Sequence, residues 1–354
     1  MTASTQIIAW SVSTADAPDA FERYLVGMAD LYEVSGVSDH DRLHFYNESG
    51  AALAPWGSLG SGRSVRQTLA RGPATLRRSD IDGMNILINQ AATVGDCDGR
   101  SVRAAPGSLQ FRNLGRPTMS RLDRIDVLTL LIPAAQTPSV LLERDVHGLA
   151  IPPDQPIVRL VESLMRETWR QAPTLDDEQL DAGVQALMLV LTRLVGHKAT
   201  VGEIEIAALR HAVRRSAAQY VEAELLAGRM AIPAGAIAAH MGVSRATLYR
   251  AFDDEGGVAR YIQDRRLRLA RSALRRRHGA EPGSASIATI AEIAETYGFP
   301  SASHFSRLFK ARFGYSPSEV EAPTVVPGVA MSEGPIRHDL LVSWLADLGA
   351  GGPA

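Results

Sequence analysis

The chain has 354 residues, of which 45% are hydrophobic and 21% charged, with a formal net charge of −2. This composition is typical of a folded globular protein, and the length is sufficient for two or three domains. Its single cysteine, Cys97, excludes an intramolecular disulfide and a cysteine-rich zinc site.

The pattern in residues 40–132 predicts a β domain. The turn Asp98-Gly99 predicts a hairpin between residues 84–92 and 101–104. The turn "APGS" at 105–108 has proline second and glycine third, as a type II turn prefers. Strands at this spacing predict a sandwich or a barrel. Apolar runs between turns predict strands at 64–69, 84–90, 108–111 and 125–132.

Two amphipathic helices follow the β region. Residues 156–170 and 177–195 each repeat apolar side chains at helical spacing. These helices either pack on the β region or pair with a second subunit, and the sequence leaves both alternatives open.

The next part of the chain contains one pattern twice. Residues 236–257 align with a later segment, with an offset of 56 before the central turn and 57 after it. Each copy has a short helix, a turn centred on Gly242 or Gly298, and a second helix. Glycine can adopt the positive φ that an abrupt turn between helices often needs. The duplication predicts two helix-turn-helix units, at residues 232–253 and 289–313.

Capping residues mark where these helices begin. Ser244 and Ser301 are the predicted N-caps of the two second helices. Thr289 and Glu292 fit a capping box before the short helix of the second copy. In the first copy, Pro233 stands at the corresponding helix start.

The second helix of each copy presents polar side chains opposite its apolar face, with Arg250 and Arg307 at equivalent positions. In a helix-turn-helix this helix enters the major groove, where arginine can bond guanine and hydroxyl groups can bond phosphate. An exposed helix with no ligand is the alternative. The predicted DNA contacts are Ser244, Arg245, Ala246, Thr247, Tyr249, Arg250, Ser301, Ala302, Ser303, His304, Arg307 and Lys310.

Charge along the chain agrees with this prediction. Residues 232–320 hold 13 arginine and lysine residues against 8 acidic ones, a net charge of +5 in a chain of net −2. Such asymmetry is typical of a segment that meets a polyanion. Lys310 and Arg312 are expected to meet phosphate or solvent. In residues 258–278, a predicted helix, the arginines are expected to face outward.

The segment "IAEIAETYGFPSASHFSRLFKARFGYSPSEV" at 290–320 closely resembles the signature of the AraC/XylS family of bacterial transcription regulators. Residues 241–274 resemble the first motif and connecting helix of that family. The resemblance covers about 205–320 and implies seven helices, with two reading helices in successive major grooves about 34 Å apart. It also implies an activator whose partners are double-stranded promoter DNA and RNA polymerase. Ala246 and Ala302 stand where some members have larger polar or aromatic residues.

The segment "GSLQFRNLGRPTMSR" at 107–121 is similar to part of the cupin-like sensor domain of one AraC-type subgroup, with Ser108 where aspartate is usual. This implies a jelly-roll pocket for a small-molecule effector, and helices that form a homodimer. We therefore expect an α+β, two-domain chain. Its parts are a cupin-like β jelly-roll sensor (1–150), packing or dimerisation helices (151–200), an all-α double helix-turn-helix (205–321), and a linker with an amphipathic helix (322–354).

Enzyme chemistry is not predicted. His40 and His44 lie four residues apart without a third ligand, and no His-x-His pair is present, so we expect no metal and no cofactor. Cys97 lies between two acids, which disfavours a reactive thiolate. Trp10, Trp56, Arg66, Arg77 and Arg112 are pocket or surface candidates, and none is assigned to an effector.

The sequence also predicts a cellular location, and it leaves alternative functions open for two parts of the chain. The N-terminus has no secretory signal pattern and no run reaches ~18 apolar residues, so we expect a cytoplasmic protein without a membrane partner. The helix at 336–348 is expected to dock on its own protein, with a partner helix as the alternative. The β half could instead be a dimerisation or interaction module without a ligand, or a cupin-like enzyme.

Overall fold

The computed structural model describes two compact units, which divide at residue 197. The predicted linker and helix in residues 322–354 lie outside the described residues. Described are residues 5–54, 56–79, 81–134, 136–195, 201–253, 256–279 and 288–320.

The first unit contains two open antiparallel sheets. The larger sheet has the order β1-β3-β4-β11-β6-β9-β12 and the smaller has the order β2-β5-β10-β7-β8. The sheets are not closed on themselves, which favours the sandwich over the barrel. The strands are β1 (Gln6–Ser13), β2 (Glu33–Ser35), β3 (Tyr46–Ala54), β4 (Gly57–Ser64), β5 (Gln67–Arg71), β6 (Gly83–Asn89), β7 (Thr93–Cys97), β8 (Arg100–Ala104), β9 (Leu109–Asn113), β10 (Thr118–Leu122), β11 (Ile125–Pro133) and β12 (Ala150–Ile151).

Most of the predicted strands and turns are present. Asp98 and Gly99 both have positive φ and join the paired strands β7 and β8, so the hairpin turn is confirmed. Its first strand is β7 rather than the predicted residues 84–92, because β6 ends at Asn89. The 64–69 prediction is wrong, since this run contains the end of β4 and the start of β5. At 105–108, Gly107 has a φ of 77° and Ser108 donates its N–H to the Ala105 carbonyl, which confirms the turn.

Six α-helices and a 3-10 turn (Arg144–Val146) accompany these sheets in the described part of the first unit. The two predicted amphipathic helices are confirmed as α5 and α6, while the short helices between strands were not predicted. The helices are α1 (Ala20–Met28), α2 (Asp39–Leu43), α3 (Pro73–Arg78), α4 (Ser139–Leu142), α5 (Pro156–Gln171) and α6 (Asp177–Val195).

The larger sheet separates two environments. On β9, Leu109 and Phe111 belong to a hydrophobic core that α5 and α6 complete, with Val161 and Leu187 among the buried contributors. Trp169 of α5 donates its indole N–H to Ser61 of β4 at 3.1 Å. The helices α5 and α6 therefore pack on the β region, which is one of the two alternatives that the sequence left open.

The other face of the sheet lines a cavity of about 170 Å³ between the two sheets. Strand alternation explains which side chains reach it, since successive residues point to opposite faces. On β6, Ile86 and Ile88 join the helix-side core, whereas Asn85, Leu87 and Asn89 line the cavity.

Small side chains on neighbouring strands leave this space open. Gly60 and Gly62 of β4 line the cavity, and so do Ser49 and Ala51 of β3. Residues of this size cannot fill the space between two sheets that pack about 10 Å apart. The cavity therefore follows from the sequence of these strands.

The second unit is helical. Its described residues form six α-helices and a 3-10 turn (Pro317–Glu319), where the resemblance implies seven helices. The predicted short helices are confirmed at α8 and α11. The helices are α7 (Val201–Leu226), α8 (Ala234–His240), α9 (Arg245–Ala251), α10 (Val258–Gly279), α11 (Ile290–Thr296) and α12 (Ala302–Phe313).

The arginines of α10 do not all face outward, and for four of them the prediction is wrong. Arg265 is 2% exposed and pairs with Glu222 of α7. Arg271 places its guanidinium 4.5 Å from the ring centroid of Phe313. Arginine can bury its aliphatic stem when its charge has a partner, which helical periodicity alone does not reveal. The buried set is Arg265, Arg268, Arg271 and Arg275.

Candidate functional site

The first helix-turn-helix consists of α8, a turn and α9. Gly242 in the turn has a φ of 62°, the left-handed conformation that glycine adopts without steric cost. Ser244 caps α9, its hydroxyl accepting the Thr247 N–H at 3.1 Å. Leu248 and Phe252 are fully buried and hold α9 in place. The predicted cap and turn are both confirmed.

The second helix-turn-helix repeats this construction with α11 and α12. The capping box of Thr289 and Glu292 is present, and the Ser301 hydroxyl accepts the His304 N–H at 3.1 Å. Gly298 has a φ of 71°, and a Cβ there would lie 2.7 Å from the Arg266 guanidinium. The positive φ therefore favours glycine at this turn, and a larger side chain would also have to displace the Arg266 guanidinium.

A row of aromatic side chains seats α12. Phe305 and Phe309 are fully buried with ring centroids 5.4 Å apart, and Phe299 lies 5.1 Å from Phe305. Phe309 also meets Tyr315 edge to face at 5.6 Å. These contacts fix the rotation of α12 about its axis, so its opposite face is presented to solvent.

The predicted contact residues lie on the outer faces of α9 and α12 or at their caps. Tyr249 is 48% exposed, although it is a large aromatic side chain. Thr247, Ala302 and His304 are half-buried. Exposed are Ser244, Arg245, Ala246, Tyr249, Arg250, Ser301, Ser303, Arg307 and Lys310.

The three arginines of this set are not arranged alike. Arg245 lies across α8, since a Cβ on Gly235 would meet its guanidinium at 2.6 Å. Arg250 and Arg307 are exposed and form no ion pair with any described residue. Within the described part of the chain, these two charges are therefore available for an external anion.

Arg312 differs from the expectation that it meets phosphate or solvent. It forms an ion pair with Asp264 of α10, within the unit. Lys310 remains exposed, one turn from Arg307 on the same helix. The second reading helix therefore offers Arg307 and Lys310 as its cationic groups.

The side chains of the β unit that the sequence offered as pocket or surface candidates lie in different environments. Trp10 and Arg112 line the cavity, whereas Trp56 belongs to the helix-side core. Arg66 is exposed and pairs with Asp123 at 3.2 Å. Buried Arg112 was not assigned from the sequence, because its position on the cavity face depends on the register of β9.

Among the described residues, no group of three or more His, Cys, Asp or Glu side chains could hold a metal ion. The rings of His40 and His44, in α2 and at its C-cap, lie in tilted contact with centroids 4.7 Å apart. Cys97 is buried, with its sulfur 3.4 Å from the Thr118 hydroxyl. No described helix is long and apolar enough to cross a membrane.

Comparison with known proteins supports the reading of the helical unit. Residues 237–322 match the model of a family described as a helix-turn-helix domain. Over 82 residues the chain is 37% identical to the transcriptional activator NphR of a Rhodococcus species, a match that covers 23% of this chain and 22% of NphR. The chain thus spans about a fifth of the length of this curated relative.

A solved structure extends the comparison to the β unit. The crystal structure of the AraC-like transcriptional activator CuxR aligns with 81% of this chain and 99% of its own, with a TM-score of 0.50 and 20% identity. At this identity the likeness establishes the fold. The sheet-rich first unit and the helical second unit together define the class of this protein, a helix-turn-helix protein with a sheet-rich N-terminal region. The C-terminal region contains a helix-turn-helix domain over residues 237–322.

Proposed function

We propose that this protein is a sequence-specific DNA-binding transcription activator that responds to a small effector. The observation that carries the proposal is a pair of equivalent, exposed arginines, Arg250 and Arg307, which form no ion pair with a described residue and lie on two helices that each have a serine N-cap. An arginine in the major groove can donate two hydrogen bonds to guanine, and helix N-termini attract phosphate. The remaining predicted contact residues surround these two positions.

The two reading helices are proposed to differ in the contacts they supply. Ser303 and His304 lie at the start of α12, where base edges are read, and Lys310 lies further along, where phosphate is nearer. Ala246 and Ala302 carry no hydrogen-bonding group, so they can contact only a thymine methyl. Specificity is then concentrated in the arginines and hydroxyl groups.

The β unit is proposed to hold the effector and to pair with a second copy. The cavity of about 170 Å³ supports a ligand site. Leu160 of α5 and Leu189 of α6 are each 49% exposed, and such outward apolar side chains suit a homodimer contact. An activator of this kind acts with RNA polymerase at a promoter, so we place the protein in the cytoplasm and assign no enzyme activity.

Anisotropy measurements with double-stranded DNA from upstream of the gene test the DNA-binding proposal at about 0.15 M salt. The double variant Arg250→Ala with Arg307→Ala is expected to lower affinity at least about thirtyfold, since each arginine–guanine contact contributes ~1–3 kcal/mol. Arg103→Ala with Arg159→Ala is the matched control, because it removes two exposed charges from the β unit. Undiminished binding by the first double variant rejects the assignment.

Base reading and phosphate contact can be separated on α12. Arg307→Ala is expected to relax sequence preference, whereas Lys310→Ala is expected to weaken binding to all sequences and reduce the salt slope by about 1. Competition with unrelated DNA at several salt concentrations measures both effects. Identical behaviour of the two variants contradicts the division of roles.

A further inference from the structure

The cavity of the β unit contains one buried charge. Among the described side chains that line it, Arg112 of β9 is the only charged residue. It is 3% exposed. Burying an ion without an opposite charge is costly, so an arginine in this position calls for an explanation.

Neutral groups account for only part of the hydrogen-bonding capacity of Arg112. Its Nη1 donates to the Phe111 carbonyl at 3.1 Å and its Nη2 to the Gln110 side-chain oxygen at 2.7 Å. Among the described residues the buried Nε has no hydrogen-bond partner, and no carboxylate of theirs lies within ion-pair distance of the guanidinium. The side chain retains a full positive charge, because arginine does not lose its proton in proteins.

The rest of the lining is apolar or neutral. Trp10, Tyr24, Leu87, Val127 and Leu131 are among the aromatic and aliphatic side chains that surround the space. The volume is about 170 Å³, and an apolar cavity of ~150 Å³ accepts benzene. The ligand that fits is therefore compact, with one negative charge at one end and an apolar body.

We infer that the cavity binds a small organic monocarboxylate with an apolar body of about one six-membered ring, whose carboxylate pairs with Arg112. A carboxylate matches the planar donor geometry of a guanidinium. One cation balances one negative charge, so a phosphate dianion is left undercompensated. The inference deepens the effector response proposed above and rests on it, since the ligand class is assigned to the same cavity.

Matched probes test the charge requirement on the unmodified full-length protein. Benzoate and cyclohexanecarboxylate are compared with benzamide, cyclohexanecarboxamide and benzylamine by thermal shift and calorimetry. Each set keeps the ring and changes the charge. The two carboxylates are expected to raise Tm and to bind at least about tenfold tighter than the amides, with benzylamine not binding.

Substitutions then locate the anion partner. Arg112→Met is expected to weaken carboxylate binding about 10- to 100-fold while the unliganded protein stays folded, because a buried unpaired charge has been removed. Arg112→Lys keeps the charge and is expected to retain part of the affinity. Arg66→Ala removes one exposed charge from the same unit and is expected to change nothing.

Two results overturn the inference. One is equal affinity for the amides and the carboxylates, and the other is a panel in which no carboxylate raises Tm. Both leave the DNA-binding proposal intact, because anisotropy with promoter DNA is measured separately. If the wild-type protein binds benzoate but does not bind promoter DNA, the proposed function is rejected instead.

Discussion

Arg312 of α12 is ion-paired with Asp264 of α10, and Arg268 pairs with the same carboxylate at 2.7 Å. Burial alone would raise the pKa of Asp264, but the two guanidinium groups hold this pKa well below its usual range. A basic residue that was expected to meet phosphate instead fastens the second reading helix to α10. The position of Arg307 therefore depends on a contact on another side of the same helix.

Asp264→Asn is expected to lower the free energy of unfolding by about 1–3 kcal/mol at neutral pH, because two partly buried guanidinium groups lose their anion. The pKa of Asp264 is depressed in the folded state, so its contribution is complete above the ordinary aspartate pKa of ~3.9 and is lost as the pH falls below it. Urea unfolding of both proteins between pH 7 and pH 3 measures the difference. Asp19→Asn, which removes an exposed pair with Arg23, is the control.

Arg71 of β5 is a buried structural cross-link of the first unit. It is 1% exposed and donates to the carbonyls of Leu31, Ile81 and Leu114 at 2.8, 2.5 and 2.6 Å. It also donates to the Ser79 hydroxyl at 3.0 Å. One side chain thus satisfies carbonyl groups from three separate connections.

Arg71→Met is expected to destabilise the protein by at least about 3 kcal/mol, because each buried carbonyl left without a donor costs ~1–3 kcal/mol. Urea unfolding followed by tryptophan fluorescence measures the loss. Arg66→Ala is the matched control, since an exposed ion pair contributes at most about 1 kcal/mol. Equal stability of the two variants contradicts a cross-linking role.

Two hydrogen bonds determine the tautomer of the neutral His147 ring. Its Nδ1 accepts the Asn113 N–H at 3.0 Å, and its Nε2 lies 3.0 Å from the Pro117 carbonyl, so the proton is on Nε2. Burial lowers the pKa of His147, and the nearby charges of Arg112 and Arg116 lower it further, against the opposing effect of the Pro117 bond. A proton on Nδ1 would face the Asn113 N–H and break that hydrogen bond.

Stability of the first unit is expected to fall as the pH drops below about 6.5. The unfolded chain takes up a proton at the ordinary histidine pKa, while the folded chain resists it because the pKa of His147 is lowered. Thermal unfolding between pH 8 and pH 5 measures the change. His147→Gln can accept and donate the same two bonds without titrating, and it is expected to flatten this part of the profile. An unchanged profile shows that His147 is not the group responsible.

The helical unit could be predicted from the sequence in most of its details. The caps Ser244 and Ser301, the turn glycines Gly242 and Gly298, and the capping box of Thr289 and Glu292 are all local features, which depend on residues a few positions apart. Local hydrogen bonds and backbone angles are strongly set by residue type, so such features survive whatever the tertiary packing is. The exposed reading faces follow from the apolar spacing alone.

Contacts between residues far apart in the chain could not be predicted from the sequence. Whether an arginine of α10 faces solvent or Glu222 depends on which helix packs beside it, and this gave the error at Arg265. The cavity face of β9 depends on strand register, because a shift of one residue exchanges Arg112 with Phe111. The sequence by itself determined the duplicated helix-turn-helix and its two equivalent arginines. Only the tertiary structure decided which charges are paired inside the fold, and that the charge of Arg112 faces the cavity between the two sheets.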